Sequence, residues 1–357
     1  MTQLLQKAGE GCLLLADITG YTSYLQGSEL EHAQDVLTDL LETIINGIEP
    51  PFELSKLEGD AAFAYLTTDT ISAPMVLDTI ETTYFDFRRR LRDVVHATTC
   101  DCNACVLIPS LDLKFVVHQG EYVVRRIGRT EELTGSDVIL VHRLLKNSIR
   151  DVVGKDAYVA FTSSAVDAMN VDPSRLGLVE HTESLDTGDV DLWIENLEDR
   201  WKAEQVRTRR QVSDAEATAI FEFEMPVSPR ELWPWLTDPS LRLQWQQGLT
   251  SISENVDSRR GVGTVTHCAH GENVVRQTIV DWQPFSTYTS SDKAGIGDVS
   301  LTVSTTLTAV DSGTRVKIAA LSEPPEAWAI VGADIEAEAT RDRALLIEIL
   351  AEERSTP

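Results

Sequence analysis

The chain is expected to fold as an α+β protein of two domains, and three features of the sequence lead there. Apolar strand-like runs alternate with amphipathic helical stretches over residues 1–195. Residues 196–216 are polar and densely charged, which marks a linker, in part helical, and a domain boundary. Closely spaced strand candidates follow over residues 217–357 and end in one long helix. A length of 357 residues also suits two domains better than one.

In the first domain residues 11–17 read as a buried strand. From Ser28 to about Asn46, Leu30, Ala33, Val36, Leu37, Leu40, Leu41, Ile44 and Ile45 recur at helical spacing, with Ser28 and Glu31 expected to form a capping box. Residues 53–57 and 61–66 read as a hairpin turning at Gly59-Asp60. A second amphipathic helix covers 74–97, opened by Pro74. Leu113–His118 and Tyr122–Ile127 read as two strands around Gln119-Gly120, Asp137–Ser148 as a helix, and 157–161 and 178–181 as short strands. Helices on a mostly antiparallel sheet give a layered sandwich.

The second domain starts with a strand at 217–225 and a short Trp-rich helix, Pro229–Leu236. Strand candidates follow near 250–256, 262–269, 273–282, 286–291, 298–309 and 314–320, and a helix over about 324–353. A curved antiparallel sheet closed by a long helix is the helix-grip arrangement.

The net charge is −26, from 57 acids against 31 bases, a field that repels nucleic acid and anionic membrane. Arg88-Arg89-Arg90 and the arginines at 207, 209 and 210 then read as solvated faces rather than binding patches. The apolar run near the start is short and interrupted by Asp17, so neither a signal peptide nor a membrane span is expected, and a cytoplasmic protein is the default. Five cysteines, an odd number, argue for thiols rather than a disulfide framework.

The chemistry concentrates in two segments. Asp17-Ile-Thr-Gly-Tyr-Thr22 ends an apolar strand, and Lys56-Leu-Glu-Gly-Asp60 turns a hairpin about forty residues on. Carboxylates at neighbouring strand ends share divalent cations well, because hard cations take oxygen ligands. Together, in this order and spacing, the segments resemble the class III adenylyl/guanylyl cyclase catalytic domain, with its D-I-x-G-[FY]-T strand end and K-x-x-G-D hairpin. The resemblance spans roughly residues 10–185. It implies a ferredoxin-like sandwich in which Asp17 and Asp60 hold Mg²⁺ or Mn²⁺ over a nucleoside triphosphate. It also implies that Gly20, Tyr21 and Thr22 contact phosphate through the backbone and that Lys56 and Glu132 read the base. Arg143 matches the arginine that stabilises charge in the transition state. Such sites are built between two chains, so the resemblance implies a homodimer.

One departure matters most. In Glu132-Leu-Thr-Gly-Ser-Asp-Val-Ile-Leu-Val-His-Arg143 the family's ribose-positioning Asn corresponds to Ile139, which offers no hydrogen bond. Losing one oriented polar group at a reacting centre costs about 10²–10³ in rate. The metal ligands, Lys56 and Arg143 are kept while the ribose contact is lost. This is the pattern of a weak, altered or retired cyclase that still binds a triphosphate or a cyclic nucleotide.

Cys100, Cys102 and Cys105 follow C-x-C-x-x-C spacing in a loop and can hold one zinc ion, given a fourth ligand such as His96 or His118. His118 by itself reads as a structural strand-end residue. Three ordinary loop thiols are the alternative.

In the second domain, the segment Ser228–Pro239 with Trp245 and Trp282-Gln-Pro-Phe285 resembles the START/Bet v 1-like superfamily of polyketide cyclases and lipid-transfer domains, over about residues 214–352. It implies an elongated pocket for a small apolar ligand between the sheet and the last helix. Trp235, Trp245, Trp282 and Trp328 are candidates to line it, with His267 and Arg276 fixing orientation. The favoured reading is a cyclase-like nucleotide-binding domain coupled to a ligand-sensing domain. An active adenylyl cyclase, and a lipid or polyketide carrier with the first domain as a dimerising scaffold, are the alternatives.

Overall fold

The computed structural model describes residues 7–67, 72–97, 102–127, 130–255, 259–270, 273–294 and 300–355. The chain divides into two compact units, 1–207 and 208–357. Both are α+β.

The first unit runs β1 (Lys7–Thr19), α1 (Tyr21–Gly27), α2 (Leu30–Ile48), β2 (Glu53–Glu58), β3 (Ala61–Leu66), α3 (Ala73–Ala97), α4 (Asn103–Leu107), β4 (Asp112–Ile127) and β5 (Thr130–Thr134). It continues through α5 (Ser136–Leu144), α6 (Ile149–Val153), β6 (Tyr158–Thr162), α7 (Ser163–Met169), β7 (Val179–Leu185), β8 (Gly188–Asn196) and α8 (Leu197–Gln205). The sheet order is β2-β3-β1-β4-β6-β8-β7, with β5 added to β4. The β4–β6 pair is parallel and the other described pairs are antiparallel.

β1 lies inside this sheet, and its alternation feeds two cores. Cys12, Leu14, Ala16 and Ile18 join the apolar faces of α2 and α3, while Leu13 and Leu15 pack with Val138, Val141 and Leu144 of α5. Burial on both faces explains why β1 reads as a continuous apolar run rather than an alternating one.

Three local expectations are corrected. Gln119-Gly120 does not turn: β4 is one long strand, paired with β1 from Thr19↔Asp112 to Lys7↔Val124. Gly11 faces Gly120 in that ladder, and a side chain on Gly120 would strike Asp137, so close approach selects the glycine there. Ser28 does not cap α2: its hydroxyl donates to the Tyr24 carbonyl and closes α1 instead. The sheet also gains β8, whose polar outer positions hid it among the charged residues.

The charged stretch 196–216 is ordered in both units. Helix α8 anchors to the first through buried Trp201 and the ion pair of Arg200 with Glu81. In the second, Arg209 Nη1 and the Arg210 backbone N–H donate to the fully buried Asp281 carboxylate, at 2.9 and 3.0 Å. Arg90 is exposed and pairs with Asp39 at 2.5 Å, whereas Arg88 and Arg89 are half-buried and pair with Asp112 and Asp86 at 3.0 and 2.7 Å.

The second unit comprises β9 (Ala219–Met225), α9 (Pro229–Thr237), α10 (Pro239–Trp245), β10 (Ser251–Asn255), β11 (Val265–His270), β12 (Asn273–Gln283), β13 (Thr287–Ala294), β14 (Ser300–Val310), β15 (Gly313–Glu323) and α11 (Trp328–Ser355). Its antiparallel sheet has the order β10-β11-β12-β13-β14-β15-β9. Ser228 and Glu231 cap α9 reciprocally. Among the described residues of α11, Gly332, Leu346 and Leu350 are buried.

Candidate functional site

The ladder that pairs β1 with β3 and β4 sets Asp17 opposite Ala61 on one side and Lys114 on the other. Asp60 sits in the turn just before Ala61, and its carbonyl accepts the Ile18 N–H at 3.1 Å. The two carboxylates are thus brought to the same end of the sheet. Burial and the nearby Asp17 charge push the Asp60 carboxyl up to about 6, with Lys114 partly offsetting them. Lys114 Nζ lies 3.1 Å from Asp17 Oδ2 and also donates to the Leu145 carbonyl at 3.2 Å.

Sequence reasoning missed Lys114. Its signal was a single charge in the apolar run Leu113–His118, at the strand position that register places beside Asp17. As donors, the two carboxylates suit a divalent cation, whose binding would relieve the repulsion that raises Asp60. Lys114 already supplies one positive charge, so an added cation must share or displace it.

Gly20 has φ +90°, and a side chain there would meet the Ser110 carbonyl at 2.8 Å, so the turn after Asp17 requires glycine. Tyr21 packs against the main core and Thr22 is exposed. Helix α1 has no acidic residue in its first turn and no side-chain cap.

The remaining expected residues are held elsewhere in the unit. Lys56 pairs with Glu58 at 2.6 Å, and Glu58 Oε2 lies 2.7 Å from His142 Nε2 of α5. Glu132 stands opposite Arg125 in the β4–β5 ladder. Arg143, in the last turn of α5, pairs with Asp186 of the β7–β8 hairpin. Ile139, one turn earlier, is 57% exposed, which is unusual for a large apolar side chain. Within one chain, Arg143 and Lys56 therefore have acidic partners other than Asp17 and Asp60.

A second cluster lies at the helical edge of this unit. The ligand atoms of His32, Cys102 and Cys105 all fall within 4.8 Å of one another. Cys100 lies outside the described residues. The imidazole is His32 of α2, in place of the two candidates expected. His96 is exposed at the end of α3, and buried His118 engages Thr162 Oγ1 at 2.9 Å. Burial, more than nearby Asp137 can offset, holds the His118 imidazole below its usual range, so it stays neutral as a structural strand residue does.

In the second unit Trp235, Trp245 and Trp282 are core residues, and Trp245 Nε1 donates to the Trp235 carbonyl at 2.8 Å. Trp282 stacks edge-on to Trp233 at 4.8 Å, and Trp328 rests against Phe221 at 6.3 Å. His267 and Arg276 face each other across β11–β12, but both are exposed. The inward positions of those strands are Thr266 and Gln277, one residue away, because side chains alternate between the two faces.

Among the described residues, Thr266, Gln277, Arg242, Glu254, Arg260 and Tyr288 border a cavity with Trp282. It holds about 20 Å³, room for little more than a water. Arg260 pairs with Glu254 and Asp238 at 3.0 and 3.1 Å, and Arg242 donates to Gln277 at 3.0 Å. Of the residues expected to line an apolar pocket, Trp282 borders this cavity, and Trp235, Trp245 and Trp328 do not.

Comparison with known proteins places these features among partial likenesses. Residues 37–152 match the family described as a protein of unknown function (DUF2652). An uncharacterized protein of Mycobacterium tuberculosis is 39% identical over 113 residues, 32% of this chain and 52% of that protein. The chain thus spans about half the length of this curated relative. Among solved structures, the guanylyl cyclase Cya2 is similar over 53% of this chain and 92% of its own, at 16% identity and a TM-score of 0.41. The adenylyl cyclase CyaB from P. aeruginosa is similar over 59% of this chain and all of its own, at 13% identity and a TM-score of 0.39. Among the described residues, no helix is long and apolar enough to cross a membrane.

Proposed function

We propose that the first unit is a divergent class III cyclase-type domain that binds a nucleoside triphosphate or cyclic nucleotide and is weak or inactive as a cyclase. The observation that carries this reading is the meeting of Asp17 and Asp60 at one end of the sheet, with Asp60 pushed up to about 6 by burial and by Asp17. Two strand-end carboxylates 43 positions apart in sequence have no packing reason to converge at a cost in desolvation. Mg²⁺ or Mn²⁺ held by Asp17 and Asp60 would neutralise triphosphate charge. Lys114 would take over part of that role when no ion is held, since its ammonium already lies against Asp17.

Weak turnover follows from α5. Ile139 leaves the ribose without a hydrogen-bond partner, and its exposed side chain has no packing role that would compensate. Lys56 and Arg143 would serve a nucleotide held by a second copy, so a head-to-tail homodimer belongs to this reading. An active adenylyl cyclase is the less favoured reading because of Ile139.

The second unit supports a helix-grip reading through its element order, one strand, two short helices, six strands and a long helix. The cavity bordered by Trp282, with room for little more than a water, is too small for the ligand of a lipid or polyketide carrier. Calorimetry with ATP, GTP and cAMP, with and without Mn²⁺, tests the central reading. Binding of a triphosphate strengthened by Mn²⁺ supports it, and absence of binding by all three in both conditions removes it.

A further inference from the structure

We propose that His32, Cys102 and Cys105 form a zinc site, separate from the Asp17–Asp60 cluster, that pins the segments flanking it. The site does not depend on the nucleotide reading. His32 stands in the first turn of α2, Cys102 is the N-cap of α4, and Cys105 lies within α4. His32 Nδ1 lies 3.2 Å from Cys102 Sγ and 3.8 Å from Cys105 Sγ, so one ring nitrogen faces both sulfurs. Donors held ~2.0–2.3 Å from one tetrahedral ion lie ~3.3–3.8 Å apart, so these separations are those of a shared ion. Two sulfurs and an imidazole select zinc over Mg²⁺ or Mn²⁺, which prefer oxygen.

An independent observation points into the same place. Tyr24 is 1% exposed, and its hydroxyl is buried without a hydrogen-bond partner. The Cys105 and Cys102 sulfurs lie close enough to this phenol to interact with it electrostatically. A buried hydroxyl without an acceptor is costly. A metal-bound thiolate is the acceptor that would satisfy it, as partners beyond the ligands commonly do in metal sites. Glu29 adds order: its carboxylate accepts the N–H groups of Asn103 and Ala104 at 3.4 and 3.0 Å and fixes the start of α4 beside α2.

The consequence is structural. Helices α1 and α2 follow directly from Asp17 and Gly20, and α4 leads through Ser110, which the Gly20 turn touches, into β4 and Lys114. An ion joining α2 to α4 therefore ties together the two connections that place Asp17 and Lys114.

The test uses the full chain purified without chelator. Elemental analysis should give about one zinc per chain, as one tetrahedral site demands. Cys102→Ser and His32→Ala should each lose most of it, while Asp60→Asn keeps it. Should those variants fail to fold, Co²⁺ exchanged into the wild-type protein gives a second readout: thiolate-to-cobalt charge transfer and tetrahedral d–d absorption are expected. Folded wild-type protein that carries no zinc and develops no such bands on adding Co²⁺ would overturn the proposal. An intact mass showing the cysteines oxidised to a disulfide in folded protein would overturn it equally.

Discussion

The first unit carries two clusters of ligand-type side chains, and they are built on opposite principles. Asp17 and Asp60 come from strand ends locked by ladder register, and the cluster brings its own cation in Lys114. His32, Cys102 and Cys105 come from helix starts, and the buried group beside them is a neutral phenol. The first is a hard-donor site with a charge problem, expressed in the raised Asp60 carboxyl. The second is a soft-donor site with an acceptor problem, expressed in the unpartnered Tyr24 hydroxyl. The two should therefore answer to different ions, and a perturbation of one should leave the other's ion in place. The strand cluster is suited to an exchangeable ion brought with a ligand, and the helix cluster to a resident one.

The largest effect that would sharpen this contrast is catalytic. If Ile139 stands at the ribose-contacting position, as the proposed cyclase reading has it, cyclic nucleotide formation from ATP and Mn²⁺ should fall about 10²–10³ below that of a competent cyclase. Robust Mn²⁺-dependent cAMP production by the purified protein would break the assignment and promote the active-cyclase reading. Next in size, stripping metal with a thiol-site chelator should lower the melting temperature of the first unit by roughly 5–10 °C. That is the shift from losing a ligand held about 100-fold above its Kd in a domain of this size. The same treatment should leave the second unit's transition in place, and equal shifts in both transitions would count against a site confined to the first.

The smallest effect concerns charge alone. Asp60 has a folded pKa of about 6 against about 3.8 for a freely solvated Asp, so its ionised form is disfavoured in the fold. Its contribution to stability is complete below about pH 3.8 and is lost as pH rises through about 6. Asp60→Asn mimics the protonated form. In metal-free buffer near neutral pH it should raise the melting temperature by about 2–4 °C, and the gain should vanish near pH 4. A gain that is unchanged at low pH would mean that Asp60 is not strained by its neighbour.

The strand cluster was largely legible in the sequence because its carboxylates lie in contiguous motifs, a strand end and a hairpin turn. Lys114 was hidden because its partnership with Asp17 exists only through the register of β1 on β4. His32 was hidden for the same kind of reason: it lies 70 positions from Cys102, and only the approach of α4 to α2 joins them. In the second unit the order of elements followed from alternation and turn spacing, while the inward face did not. The choice of His267 and Arg276 over Thr266 and Gln277 was a slip of one residue, which reverses a strand. Long-range register and strand facing are tertiary facts, and local pattern carries them weakly.

The account stands most directly on the Mn²⁺-dependent gain in triphosphate affinity, measured by calorimetry on wild type and Asp60→Asn side by side. The account predicts that Mn²⁺ strengthens binding to wild type, that Asp60→Asn abolishes this gain, and that both proteins hold the same zinc. Equal affinity of the two proteins for the triphosphate in the presence of Mn²⁺ would contradict it.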